Sequence, residues 1–166
     1  MTLLDAPSFD AARDRRIRIA LFGSVGLLVV LFIASWFASG MPVDWPWNWW
    51  AHFRGRMTVN HFLNAVEQND LEKAYSIWLH DPEWKQHSNQ YLAYSFDRFE
   101  KDWSPSSPGN DYGAIKSHKM VAARISGNVL IVGSLINGMK SQALFLTYDP
   151  KTHTLGFSPV ELYLGP

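Results

Sequence analysis

The dominant feature of the hydrophobic pattern is an unbroken run from Ile19 to Ala38, IALFGSVGLLVVLFIASWFA, twenty residues without a charge. At about 1.5 Å per residue, a helix of that length matches the roughly 30 Å hydrocarbon core of a bilayer. Twelve of the twenty are Leu, Ile, Val or Phe, and together they favour insertion by about 4–7 kcal/mol. Further on, the pattern becomes amphipathic. Val59, Phe62, Leu63 and Val66 recur at i, i+3, i+4 and i+7 behind Thr58 as N-cap, which predicts a helix ending near Asn69. Asp70 caps a second helix carrying Leu71, Ala74, Tyr75, Trp78 and Leu79, which must close near Pro82. A third is expected to start at Ser88, with Leu92, Phe96, Phe99 and Trp103 on one stripe, and to end at the Pro-, Ser- and Gly-rich loop 104–110.

From Tyr112 the period changes to two. Ile115, Val121, Ala123 and Ile125 are expected on one face of a strand, with Lys116, His118, Met120 and Arg124 on the other. Ser126-Gly127-Asn128 turns the chain into Val129–Ile136, an apolar strand. Asn137-Gly138 then supplies the two positive-φ positions of a type I′ hairpin turn. The next strand runs from Met139 to Tyr148, and Asp149-Pro150-Lys151-Thr152 leads into a last strand through Leu155 and Phe157, with Pro159 marking an edge or bulge. Four antiparallel strands in meander order result.

What flanks the apolar run sets its orientation. Arg13, Arg15, Arg16 and Arg18 precede it, and no Lys or Arg follows until Arg54; the positive-inside rule therefore places the N-terminus in the cytoplasm. Trp36, Trp45, Trp47, Trp49 and Trp50 cluster around Pro42 and Pro46 on the far side, the composition of an interfacial collar at headgroup level. The expected organisation is a cytoplasmic tail over residues 1–16, a transmembrane helix over 17–40, a Trp/Pro-rich connector over 41–56 and one domain over 57–166. A cleaved signal peptide is the alternative, because Ala38-Ser39-Gly40 is a small-x-small triplet; the apolar run is longer than the about 7–15 residues of a secretory h-region. Ala34/Ala38 and Ser35/Ser39 are small-xxx-small pairs, the spacing that lets a second copy of the helix approach for a homodimer.

Composition narrows the chemistry. Fifteen basic and fifteen acidic residues cancel, and from Ala51 onward the count is eleven of each, which argues against nucleic-acid binding by bulk charge. Zero Cys excludes disulfides, thiolate metal sites and thiol nucleophiles. The six His, at 52, 61, 80, 87, 118 and 153, have no metal-ligand spacing, so no metal is expected. No phosphate-cradling glycine motif or nucleophile elbow occurs, and no cofactor or catalytic residue is assigned. Asp97, Tyr91, Tyr94, Tyr112 and His118 are the side chains from which a general base and a proton donor could be drawn. Trp78, Trp84, Tyr91, Phe96, Phe99 and Trp103, together with His118, would either line a pocket for an apolar ligand or simply fill the core.

The stretch FLNAVEQNDLEKAYSIW, with Phe62-Leu63, Ala65-Val66, Asn69-Asp70, Ala74-Tyr75 and Trp78, resembles the first two helices of small members of the nuclear-transport-factor-2-like superfamily, and HTLGFSPVEL resembles their terminal strand. The resemblance covers about residues 57–162. It implies an α+β fold in which three helices behind the transmembrane helix pack on a curved four-stranded antiparallel meander. The superfamily hosts enzymes, ligand carriers and assembly subunits. A short tail, one span and an external domain of this fold is also similar in plan to the bitopic assembly subunit of type IV secretion systems. The expectation is a bacterial inner-membrane protein with a periplasmic, non-catalytic binding or assembly module, whose partners are the bilayer and other membrane proteins. The alternatives are an accessory subunit of a larger membrane complex and a tethered ligand-binding protein or enzyme of ketosteroid-isomerase-like type.

Overall fold

The computed structural model describes residues 11–162, except for the side chains of residues 140–142. Most of the expected cytoplasmic tail, residues 1–10, lies outside the described residues. The chain divides into two compact units, one ending at Ala38 and one beginning at Ser39. The first contains helix α1, Ala11–Ala38, which has no buried residue. Its apolar part has a mean hydropathy of 2.5 and is long enough to cross a membrane. Helix α1 starts earlier than the apolar run, so Arg13, Arg15, Arg16 and Arg18 occupy its first turns, not the end of an unstructured tail. Nothing in residues 11–18 breaks a helix, and Arg and Ala are among its best formers.

The second unit is α+β. Helices α2 (Trp49–Glu67), α3 (Leu71–Leu79) and α4 (Phe96–Trp103) precede a four-stranded antiparallel sheet of β1 (His118–Ser126), β2 (Val129–Ile136), β3 (Met139–Tyr148) and β4 (Leu155–Phe157). The strands lie in the order β1-β2-β3-β4, an open meander as the sequence pattern predicts. Helix α2 begins nine residues before Thr58, so half of the expected 41–56 connector is helical. Thr58 is no N-cap: its hydroxyl donates back to the Arg54 carbonyl at 3.0 Å. The buried stripe Trp49, His52, Gly55, Val59, Phe62, Leu63, Val66 shows why the helix extends backward, since residues 49–55 continue the same face.

Asp70 caps α3 as expected, accepting from the Lys73 amide at 3.1 Å, and His80 ends it at φ 53°. The third domain helix is shorter than expected. Residues 88–94 form two 3₁₀ turns, and α4 starts only after Ser95, which is extended. The Tyr75 hydroxyl donates to the Tyr94 carbonyl at 2.5 Å, so a tertiary bond holds that carbonyl at the break. Leu92, assigned to the buried stripe by its spacing, is 76% exposed.

In β1 the register slips between Met120 and Ala122. This β-bulge reverses the faces upstream of it: Met120 packs on the core together with Ala123 and Ile125, while Val121 is exposed. The expected pairing of Val121 with Ala123 on one face and His118 with Arg124 on the other is therefore wrong by one residue before the bulge. β2 is buried over nearly its whole length. Asn137 and Gly138 have φ 53° and 72°, the expected hairpin turn. Asn137 does more than turn: its Oδ1 accepts from the Lys116 amide at 2.8 Å and its Nδ2 donates to the Ala114 carbonyl at 2.9 Å, tying the entry to β1 onto the hairpin.

The core lies between α2–α4 and the sheet. Phe62, Trp78, Phe99 and Trp103 are all at most 5% exposed, and their rings meet at centroid distances from 4.8 to 6.1 Å. Gly55 lets α2 approach the sheet: a Cβ there would lie 2.6 Å from Leu130 Cδ2 and 2.8 Å from Tyr148 Cδ1.

Candidate interaction surface

The segment between Ala38 and α2 is folded onto α2. The Trp49 indole N–H donates to the Asp44 carbonyl at 3.0 Å, and the Asp44 carboxylate lies 2.6 Å from His52 Nε2, with His52 buried. Gly40, at φ +83°, sits so close to the Arg56 guanidinium that a Cβ would be 2.6 Å from Cζ. Burial lowers the pKa of Arg56. The contacts of Gly40 with Arg56 and of Asp44 with Trp49 and His52 thus make residues 39–48 part of the domain. The Asp44–His52 pair was not legible beforehand, because its signal, His52 three residues after Trp49 on a buried helical face, requires knowing that α2 starts at Trp49.

The five tryptophans assigned to a collar divide. Trp45 and Trp47 are 67% and 72% exposed and stack on each other at 5.0 Å with 3° between their planes. Trp50 is 65% exposed. Trp36 lies in the other unit, against Phe37 at 5.1 Å. Trp49 is buried and belongs to the domain's interior, which removes it from any exposed collar. Met41 and Val43 are exposed as well, so the chain from Met41 to Trp50 exposes five large apolar side chains, interrupted by the buried Pro42 and Trp49. Stacked indoles with one polar edge suit a boundary between water and an apolar medium.

Among the described residues, the side chains expected to line a pocket make contacts in separate places. Trp78, Phe99 and Trp103 pack against each other and against Phe62, while Phe157 covers Trp78 and Trp103 at 5.0 and 5.9 Å. Trp84 lies edge-on to Tyr75 at 4.9 Å and stacks on Phe96; it also borders an open groove of polar residues. The Tyr91 hydroxyl donates to Asp81 Oδ2 at 2.8 Å, an oxygen that also lies 2.8 Å from His87 Nδ1. The bond from His87 holds the Asp81 carboxylate below its ordinary pKa. His118, expected on the outer face, points inward: its Nδ1 lies 2.6 Å from Glu67 Oε1 and its Nε2 2.9 Å from Asn60 Oδ1. This pins β1 to α2, and it is a consequence of the bulge at Met120–Ala122.

The candidate acid–base groups are likewise dispersed. Asp97 is exposed and forms no ion pair among the described residues, although Arg98 and Lys101 are its neighbours in sequence. The Tyr94 hydroxyl donates to Asp102 Oδ2 at 2.9 Å, and that of Tyr112 to the Ala143 carbonyl at 3.4 Å. Burial raises the pKa of Tyr75, Tyr94, Tyr112 and Tyr148, and the bond to Asp81 raises that of Tyr91. Each phenol therefore stays protonated in the fold at a pH where the unfolded chain, with tyrosines near the ordinary value of about 10, has begun to ionise. Stability present below pH 10 should be lost as pH rises through the folded values. In an alkaline titration of the full-length chain, phenolate absorbance should lag that of the denatured chain and then rise together with loss of near-ultraviolet circular dichroism. Smooth ionisation near pH 10 with the fold intact would contradict the burial of these phenols.

One further groove, of about 660 Å³, lies on the outer side of α2 and the end of α3. Trp50, Phe53, Arg54, Met57, His61 and His80 contribute to its walls. The Arg54 guanidinium lies 5.6 Å from the Trp50 ring centroid. No family model matches the chain, and neither a curated protein nor a solved structure matches it.

Proposed function

We propose that this is a single-pass membrane protein whose N-terminus stays in the cytoplasm and whose domain, from Ser39 onward, is a non-catalytic binding or assembly module on the opposite, periplasmic side of a bacterial inner membrane. The observation that carries the reading is α1. Residues 19–38 are uncharged, and no residue of the helix is buried. An apolar surface of that extent, exposed on every face, requires an apolar solvent or partner. The asymmetry of Arg13, Arg15, Arg16 and Arg18 against a stretch with no Lys or Arg from Ile19 to Phe53 supports the orientation.

Three helices followed by an antiparallel meander support a nuclear-transport-factor-2-like relationship for the domain. The binding role is supported by the exposed apolar residues Met41, Val43, Trp45, Trp47 and Trp50, which follow the proposed anchor in sequence. A tethered enzyme would need converging polar groups, whereas Tyr91, Tyr94, Tyr112 and His118 each bond to a different partner.

Affinity purification in mild detergent tests the assembly role. The full-length chain should recover specific membrane proteins that a form lacking residues 1–38 does not. The truncation is placed there because residues 39–48 belong to the domain. Recovery of the same partners by both forms would remove the membrane from the account of binding.

A further inference from the structure

Helix α2 is apolar on two sides. One stripe, from Trp49 through Val66, forms the core. The second, Trp50, Phe53 and Met57 at i, i+3 and i+7, faces the outer groove, with Trp50 65% and Met57 41% exposed. A surface helix normally carries polar residues there. The polar side chains that line the groove are Arg54, Thr58 and His61 on α2, Ser76 on α3 and His80 at its end, so Arg54 is the fixed charge among them. Among the described residues, no carboxylate contributes to the lining. The nearest in sequence, Asp81, is engaged by His87, Tyr91 and the Glu83 amide. Arg54 forms no ion pair among the described residues, and its guanidinium lies against the Trp50 ring.

We infer that this groove binds an anionic phospholipid, with the phosphate against Arg54, His61 and His80 and the upper acyl chain along Trp50, Phe53 and Met57. A half-buried guanidinium without a carboxylate partner is a site for a phosphate, which it can bond bidentately. An apolar wall beside it matches a ligand that is anionic at one end and aliphatic at the other. The lipid source follows from continuity, because Trp50 is three residues beyond the exposed Trp45–Trp47 stack, and Trp47 is only nine residues after the apolar helix ends. This inference rests on the membrane reading of α1.

The test is photolabelling of the full-length protein in vesicles with a phosphatidylglycerol that carries a photoreactive group near the top of one acyl chain, mapped by peptide mass spectrometry. Label is expected both on residues 19–38 and on Trp50–Met57. Arg54→Gln should lower groove labelling about tenfold, the loss of one charge-assisted contact, and leave labelling of 19–38 unchanged, while Arg54→Lys, which keeps the charge without the bidentate fork, should fall between Arg54→Gln and the unaltered chain. Because Arg54 also packs against the Trp50 ring, the double variant His61→Gln/His80→Gln is the second probe; it leaves Arg54 in place and should reduce the groove label by a smaller factor. Equal groove labelling by the phosphatidylcholine analogue, or by Arg54→Gln, would overturn the anionic site. Displacement by inorganic phosphate at matched ionic strength would assign the site to a soluble anion and overturn the lipid. Absence of label on 19–38 would instead count against the membrane reading itself.

Discussion

Phe62→Ala lowers the stability of the full-length chain in mild detergent by about 3–5 kcal/mol, the range for removing a fully buried phenyl ring. Phe62 is at 0% exposure and is the ring on which the aromatic core converges, 4.8 Å from Trp103, 5.3 Å from Trp78 and 6.1 Å from Phe99. None of the three can collapse into the space easily, because each is also held by others: Trp78 by Tyr94, Trp103 by Phe157, Phe99 by Tyr75. The cavity should therefore persist, and the cost should fall toward the upper end. Met57→Ala, on the outer face of the same helix and 41% exposed, serves as the contrast at about 0.5 kcal/mol or less. Urea melts of the two variants that shift equally would mean that α2 is rotated relative to the core described here.

Gly55→Val should destabilise by about 3 kcal/mol. Local preference predicts the opposite sign for the smaller change: Gly55→Ala in a helix interior gains about 1 kcal/mol. Against that stand Leu130 Cδ2 at 2.6 Å and Tyr148 Cδ1 at 2.8 Å from the new Cβ. Leu130 and Tyr148 are buried side chains on β2 and β3, so neither can swing into solvent. Contact outweighs propensity, and both variants are expected to melt at lower urea, Val more than Ala. If Gly55→Ala raises stability, α2 does not approach the sheet this closely.

The sheet was the most legible part of the chain, because a period of two and an Asn-Gly turn are local signals. Asn137 and Gly138 adopt the positive φ values their identities require, and Asp70 caps α3 with its own side chain. What could not be read depends on contacts distant in sequence. The bulge after Met120 is a property of β1 paired with β2, and it alone decides that His118 meets Glu67 and Asn60, 51 and 58 residues away. The break before α4 reflects the Tyr75 hydroxyl on the Tyr94 carbonyl, a bond no pattern within 88–103 contains. The start of α2 was hidden by composition: Trp49 and Trp50 read alike as collar residues, yet one is buried and the other exposed. For the same reason the aromatic stripe could not be divided in advance into pocket and core, since both call for bulky rings at helical spacing.

The central claim, one membrane span with the domain on the side opposite the N-terminus, is tested most directly by site-specific labelling. The chain has no Cys, so a single introduced thiol reports its own location. Lys151→Cys lies at an exposed turn before β4, and Ser8→Cys lies ahead of the four arginines in sequence. In spheroplasts of a bacterial host treated with a membrane-impermeant maleimide, Lys151→Cys should react at once and Ser8→Cys only after lysis. Reaction of Ser8→Cys alone before lysis would invert the orientation, and reaction of both thiols before lysis, or of neither, would contradict a single span.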